Sequence, residues 1–355
     1  MWIFHATNII TFLDEQRGYP DKSIIMFSFF ALISCAKEKT EWSVTSPSEN
    51  IQFNIVLSEN NQLMYNVSLV ESGVAKQVIA NSPLGIRRSD ASFIQNLKFV
   101  SEVADVTISE SFTLPTGKRK SISTEVNELT LTFKNETNNE IQIIARVSDD
   151  GAAFRYRFPE ADKKMYSVEE ELTGFSIAGE GKAWISPYDK VTKYSPGYER
   201  YFENGIPIGT AAPGEEGWCL PALFQTENCW LLLTEAALDS TYFGAHLQPN
   251  ADGGKYQIRL PETTEANNVC TNIPSSSLPW ATPWRVLIIG KNLSDVVESN
   301  MVVALNPPSQ IEDESWIQPG RASWSWWSDW PSPKNFASLK NFVDLSVEMG
   351  WEYSL

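Results

Sequence analysis

The strongest constraint on this chain is a series of short segments in which apolar and polar residues alternate with period two, each closed by turn residues. Ile51-Gln52-Phe53-Asn54-Ile55-Val56-Leu57 alternates, Ser58-Glu59-Asn60-Asn61-Gln62 turns, and Leu63 to Val70 returns with the same period. That period sends successive side chains to opposite faces of a strand, so the pair reads as a hairpin. Further strands are predicted at Leu129 to Phe133, Ile141 to Val147, Ala153 to Phe158, Tyr166 to Leu172, Trp230 to Leu233 and Tyr256 to Leu260. Trp284 to Ile289 reads as a fully apolar strand, and Asp149-Asp150-Gly151 as a hairpin turn. Turn residues recur roughly every ten positions, which suits a large antiparallel sandwich rather than βαβ units.

The character changes after about residue 290. Asn292 to Glu298 is predicted as a short helix, and Asn306-Pro307-Pro308 as a linker, because paired prolines resist helix and sheet alike. Ala322 to Trp327 is predicted as a strand and Asp329-Trp330-Pro331-Ser332-Pro333 as a turn. Asn335 is expected to cap a helix from Phe336 to Glu348 that Gly350 stops. Phe336, Leu339, Phe342, Val343 and Val347 fall on one face of that helix, and Trp351 to Leu355 opens another strand. Strand, loop, helix, strand is the first unit of a parallel βα fold, and one unit cannot bury its own sheet edges. The expected division is a leader over 1–40, a β-sandwich over 41–305, a linker over 306–320 and the truncated start of a barrel over 321–355.

Charge excludes one class of partner. The chain carries 44 acidic and 28 basic residues, a formal net charge of −16. Nucleic-acid binding needs a basic footprint, so it is set aside. The acidity suits a neutral substrate such as a sugar, or a divalent cation, and equally a merely solvated surface. Ser23 to Ser34 is an apolar run too short to span a bilayer, which takes about 20 residues, but fits the h-region of a secretory signal. Leu32-Ile33-Ser34-Cys35 resembles a bacterial lipobox, which implies a lipid anchor on Cys35 and export to the periplasm or outer membrane. A strand ending in cysteine is the alternative. Only Arg17 and Lys22 precede the run as basic residues, so a different initiation point is expected. Cys219 and Cys229 flank a strand–turn–strand, where a disulfide is geometrically possible in an oxidising compartment. With two histidines and no CxxC, no zinc site is expected.

Trp324-Ser325-Trp326-Trp327-Ser328-Asp329 is the most informative local cluster in a chain with 13 tryptophans. Sugar rings stack their C–H faces on aromatic rings, and an indole N–H can bond a hydroxyl. At the C-terminal end of a first barrel strand such residues point into an active-site mouth; packing at a domain joint is the plainer reading. Tyr194 to Gly205 is rich in aromatic and carboxylate residues. Loop carboxylates can bind calcium, or simply form a surface loop with a salt bridge to Arg200. Glu169-Glu170-Glu171 and Glu312-Asp313-Glu314 read as solvated faces. His246 reads as structural, and Glu235 as either a cap or a domain contact. No GxSxG, P-loop or dinucleotide-binding motif occurs.

Several segments in order resemble glycoside hydrolase family 97, whose members include α-glucosidases and α-galactosidases. They are Ser82-Pro83-Leu84-Gly85, Asp149 to Pro159, Ala183 to Pro187, Thr234 to Leu238, Ala281 to Ile289, Leu305 to Pro308 and Ser315 to Arg321 running into the tryptophan cluster. The resemblance covers roughly residues 45 to 355. It implies a mainly β chain: an N-terminal antiparallel β-super-sandwich, related to mutarotase-like sugar domains, packed on a (β/α)8 barrel. It further implies a calcium ion held by glutamates, one of them from the sandwich. Glu199 is the expected sandwich ligand, with Glu203 left open, and Trp326 the expected substrate-contacting tryptophan, with Trp327 and Asp329 beside it. The substrate implied is an α-linked oligosaccharide or glycoside. The catalytic carboxylates are expected beyond residue 355, and none is assigned here. Two rivals remain. One is a non-enzymatic carbohydrate-binding surface lipoprotein. The other is a free-standing aldose 1-epimerase, which is poor because mutarotation needs an acid–base pair and His246 is the only histidine outside the leader.

Overall fold

Alternation of apolar and polar residues produces two stacked antiparallel sheets, each contributing its apolar face to one core. The computed structural model describes residues 39–192, 199–266 and 272–355, and Thr40–Leu355 forms one compact unit. Residues 1–38, expected to form most of a leader and including Cys35, lie outside the described residues, as do Cys270 and Tyr194 to Tyr198.

The smaller sheet has seven strands. They are β1 (Glu41–Thr45), β2 (Ile51–Leu57), β3 (Leu63–Glu71), β4 (Val74–Pro83), β11 (Gly174–Ile177), β17 (Lys255–Arg259) and β16 (His246–Leu247), in that spatial order. The predicted hairpin is present in full register, Ile51 opposite Leu69 and Leu57 opposite Leu63.

The larger sheet runs β13 (Glu203–Pro207), β12 (Gly181–Ile185), β14 (Ala222–Thr226), β15 (Trp230–Ala236), β19 (Trp284–Gly290), β10 (Gly151–Glu171), β9 (Glu140–Ser148), β8 (Ser121–Lys134) and β7 (Lys98–Thr113). β18 (Ser275–Ala281) and β5 (Ile86–Arg88) also pair with β10, and β6 (Ala91–Phe93) pairs with β5. The two segments predicted at Ala153 to Phe158 and Tyr166 to Leu172 are thus one long strand, β10. It exchanges β19 for β18 and then β5 as its register shifts.

Inward-facing aromatics fill the space between the sheets. Tyr65 of β3 packs on Phe53 and on Phe154 of β10, at 5.4 and 4.8 Å between ring centroids. The Tyr65 hydroxyl donates to the Gly174 carbonyl at 2.8 Å, so the deepest polar atom there is paired. The turn before β10 needs Gly151. A Cβ there would lie 2.2 Å from the Leu287 carbonyl of β19, closer than any side chain tolerates.

A second, smaller apolar cluster lies on the other face of β10, β15 and β19. It holds Ile144, Ala153, Trp284, Val286 and Ile288. Helices α1 (Leu293–Glu298) and α2 (Met301–Ala304) cover part of it with Val296 and Met301. Asn292 begins α1 with a capping box, its side chain and that of Asp295 exchanging bonds with each other's backbone.

The segment predicted as a strand from Ala322 to Trp327 is one only at β20 (Ala322–Ser323). Ser325–Ser328 is a helical turn, α3. The physical reason is visible in the residues: adjacent Trp326 and Trp327 break the period-two pattern. A helical turn instead stacks Trp324 on Trp327, three residues on, with centroids 5.1 Å apart, and places Trp326 near Trp330, four residues on, at 4.8 Å. Helix α4 (Phe336–Met349) follows as expected. The Asn335 side chain accepts from the backbone N–H of Ala337 and Ser338, and Gly350 closes the helix with φ 64°. β21 (Tyr353–Ser354) then pairs parallel with β20. Among the described residues no helix is long and apolar enough to cross a membrane.

Candidate functional site

The tryptophan loop and the loop before β13 carry the residues picked out by sequence. Trp326, Trp327 and Asp329 are brought together on and just after α3. Trp327 is 81% exposed and Trp326 39%, so both indoles present free faces. Asp329 is committed to holding the loop. Its Oδ2 accepts from the Ser338 hydroxyl of α4 at 2.6 Å, and its backbone N–H donates to the Ser325 carbonyl. Hydroxyls pin the rest: Ser332 donates to Ser325 at 2.8 Å, and Ser346 of α4 to Ser323 of β20 at 2.7 Å. The loop is therefore a fixed platform of stackable rings on a serine-lined base, suited to the apolar face of a sugar.

Glu199 lies in the connection between β12 and β13 and is exposed. The Arg200 carbonyl accepts from the Ser186 hydroxyl at 3.2 Å, and its guanidinium is 3.8 Å from Asp189. Glu203 opens β13, also exposed. An exposed carboxylate with its adjacent cation engaged elsewhere fits a hard oxygen ligand for calcium, which takes six to eight oxygens. It fits as one ligand only. Among the described residues no three His, Cys, Asp or Glu side chains stand close enough to hold a metal.

Two sequence readings are corrected. Glu171 was expected on a solvated face with Glu169 and Glu170. Those two are surface partners of Arg87, but Glu171 is buried. It forms a two-pronged pair with the fully buried Arg285 of β19, which also binds Glu235 of β15. The Tyr242 hydroxyl donates to Glu171 at 3.0 Å, and Glu235 accepts from the Ala245 N–H at 2.9 Å. Glu235, read as a cap or a domain contact, is instead a partner of Arg285 inside the sandwich. The signal was present in the sequence: a lone arginine in the apolar strand Trp284 to Ile289 demands a buried acidic partner. With both carboxylates tied to one guanidinium, this network is a structural lock between strands.

The disulfide considered for Cys219 and Cys229 is not formed; both are buried free thiols. Cys219 sits before β14, its backbone N–H bonded to the Ser186 carbonyl, while Cys229 sits in the β14–β15 turn bonded to Thr226. The hairpin register keeps them apart. Burial pushes the Cys219 thiol up to about 11 and raises that of Cys229, which favours the protonated thiol at both.

His246 is structural, as expected. It is 1% exposed, its ring lies 3.9 Å from that of Tyr188, and neither ring nitrogen has a hydrogen-bond partner among the described residues. Burial lowers its pKa to about 4, which keeps it neutral.

Comparison with known proteins adds what the geometry lacks. A family model described as "Glycosyl-hydrolase 97 N-terminal" matches residues 44–308. A protein named as a probable retaining alpha-galactosidase of Streptomyces bingchenggensis is 28% identical over 334 residues, covering 93% of this chain and 48% of that protein. A retaining alpha-galactosidase of Bacteroides thetaiotaomicron is 22% identical over 343 residues, covering 88% of this chain and 49% of that protein. The chain thus spans about half the length of the curated relatives it matches. A crystal structure of a beta-arabinopyranosidase superposes with a TM-score of 0.80 at 29% identity, over 88% of this chain and 50% of that one. A Pseudoalteromonas sp. strain K8 family 97 enzyme, solved in complex with acarbose, superposes at 0.70 and 22% identity, over 88% of this chain and 46% of that one. That likeness bears on the fold.

Proposed function

This chain belongs to the glycosyl-hydrolase 97 family through its N-terminal domain, and from that premise we propose that it is the sugar-facing front part of an exported, calcium-dependent glycoside hydrolase acting on α-linked galactosides or glucosides. The family match across residues 44–308 is the observation that carries the reading. The parallel β20–α4–β21 unit extends it, because a two-stranded parallel sheet needs further strands to bury its edges. We take that unit as the first of a (β/α)8 barrel. On this reading the chain divides as leader 1–40, sandwich 41–305, linker 306–320 and barrel start 321–355.

The roles follow from chemistry. Trp326 and Trp327 offer exposed rings on which a pyranose stacks. Glu199 supplies one oxygen ligand to calcium, and the bound ion would polarise the sugar-binding site. Glycoside hydrolysis requires two carboxyl groups, about 5–5.5 Å apart when configuration is retained. Glu171 and Glu235 cannot serve, being locked to Arg285. We assign the catalytic pair to further barrel strands, as the family resemblance implies. Both curated relatives are named as alpha-galactosidases. Galactoside-type configuration is accordingly favoured over gluco. Cys35 is proposed as the lipid anchor that holds the exported protein at the membrane.

The test uses the protein continued through a complete barrel. Aryl α-galactoside, aryl α-glucoside and aryl β-L-arabinopyranoside are compared, with and without chelator. Release from the galacto-configured substrates, lost on calcium removal and weakened in Glu199→Ala, is expected. Sugar binding without release from any of the three would favour the carbohydrate-binding lipoprotein instead.

A further inference from the structure

Charge does not balance inside the sandwich. Glu171 of β10 and Glu235 of β15 share one guanidinium, that of Arg285 on β19. Two carboxylates against one arginine leave an excess negative charge, and Arg285 and Glu171 are both shut off from water. A buried net charge is costly, and like charges at close range resist joint ionisation. One of the two carboxylates is therefore the natural holder of a proton.

The hydrogen bonds say which. Glu171 meets Arg285 through two donors and also accepts from the Tyr242 hydroxyl at 3.0 Å. Glu235 meets Arg285 through one donor and accepts from the Ala245 N–H at 2.9 Å. The Glu235 side chain is 13% exposed, against 0% for Glu171, so a proton reaches it more directly from solvent. The titratable groups facing Glu235 among the described residues are Arg285, Glu171 and Tyr242. Burial, set against the Arg285 charge, raises Glu235 above the ordinary 4.5.

The Ala245 bond ties down the end of a loop. Ala237 to Ala245 joins β15 to β16. The Asn306 side chain accepts from the Ala237 N–H at 3.0 Å, Trp280 Nε1 donates to the Thr241 hydroxyl at 2.9 Å, and Tyr242 is held by Glu171. Phe243, Gly244 and Ala245 follow, and Glu235 holds the last of them. His246 and Leu247 come next as β16, and Leu247 exchanges two backbone bonds with Trp218, at 2.8 and 3.0 Å. Trp218 in turn bridges Pro187, at the root of the connection that carries Glu199.

We infer that Glu235 is a proton-operated catch: ionised, it holds the Ala245 N–H, and on acidification it takes up the proton that the excess charge calls for and slackens that hold, freeing Phe243 to Ala245 ahead of β16. A charge-assisted bond to a backbone N–H becomes a neutral one, about half as strong. Tyr242 stays seated, because Glu171 keeps its charge and both its bonds to Arg285. The change is local and is the opposite of acid unfolding. The folded chain holds this proton more tightly than the unfolded chain, where the carboxyl has its ordinary value. Acidification through the raised value therefore adds to global stability while it frees one amide, and that gain is lost again as pH rises.

Amide exchange read by mass spectrometry, corrected for the intrinsic pH dependence of exchange, tests the catch on this chain. Protection of the Ala245 amide should fall about fivefold between pH 8 and pH 5, while the amides of β15 keep theirs. Glu235→Gln, neutral at every pH, should show the lower protection throughout. Constant Ala245 protection in the wild type overturns the proposal, as does a Glu235→Gln chain that keeps the wild-type response. A second measurement needs no change at Glu235. Infrared titration of carbon-13-labelled glutamate, from pH 8 downward, should show a carboxyl protonating before the exposed glutamates do. Glu265, which burial also raises, is the rival for that step. An early step should survive Glu265→Gln, and its absence there overturns the assignment whether or not Glu235→Gln folds. An early step that persists when both Glu235 and Glu265 are glutamine makes Glu171 the holder and refutes the catch.

Discussion

At the scale of single residues, burial decides what a side chain can do. Glu169, Glu170 and Glu171 are consecutive, yet two are surface partners of Arg87 and the third is locked to Arg285 in the core. Removing one member of a buried ion pair leaves an uncompensated charge, at a cost of about 3–5 kcal/mol. Arg285→Met should therefore lower stability in urea unfolding by about that amount, and Arg285→Met combined with Glu171→Leu should recover part of it. His246 gives a pH signature. Its folded pKa of about 4 lies below the ordinary 6.5, so the unfolded chain binds a proton that the folded chain refuses. The stability it protects is complete above pH 6.5 and is lost progressively as pH falls toward 4, by about 3 kcal/mol in all. His246→Phe keeps the ring against Tyr188. Its unfolding free energy should fall less than that of the wild type between pH 7 and pH 4, measured by urea titration at each pH. Identical slopes would mean that His246 is paired and protonated in the fold.

At the scale of elements, local signals worked where one pattern dominated. The β2–β3 hairpin and helix α4 both occupy the residues expected, because alternation, an Asn cap and a stopping glycine are each encoded within a few positions. Removing the cap from Asn335 leaves the Ala337 and Ser338 N–H groups unpaired. Asn335→Ala should cost about 1 kcal/mol and raise amide exchange in the first turn of α4 selectively. The strand expected through Trp327 failed at the point where two adjacent tryptophans broke the alternation. Stacking of Trp324 on Trp327 and approach of Trp326 to Trp330 then favoured a helical turn. The joining of two predicted strands into β10 was illegible for another reason. Its register shifts answer to which partner strand lies alongside, and that partner comes from β18 or β5, far away in sequence.

At the scale of the whole molecule, the sandwich is two sheets closed on one core, and burial sorts its charged groups. Among its described residues the buried carboxylates Glu171 and Glu235 are consumed by Arg285. The 355-residue chain by itself is therefore expected to show no turnover of aryl α-galactoside above background, with or without added calcium; measurable release by purified chain would place catalytic carboxylates inside it. Sequence alone determined the sandwich class, the helix that ends at Gly350 and the structural role of His246. Each of these depends on periodicity, capping or composition, which act over short range or are summed over the chain. Only the tertiary structure decided that Glu171 is buried and that Cys219 and Cys229 stay apart. Those depend on which distant strands lie opposite one another, and strand pairing is set by the packing of the whole core rather than by any local run of residues.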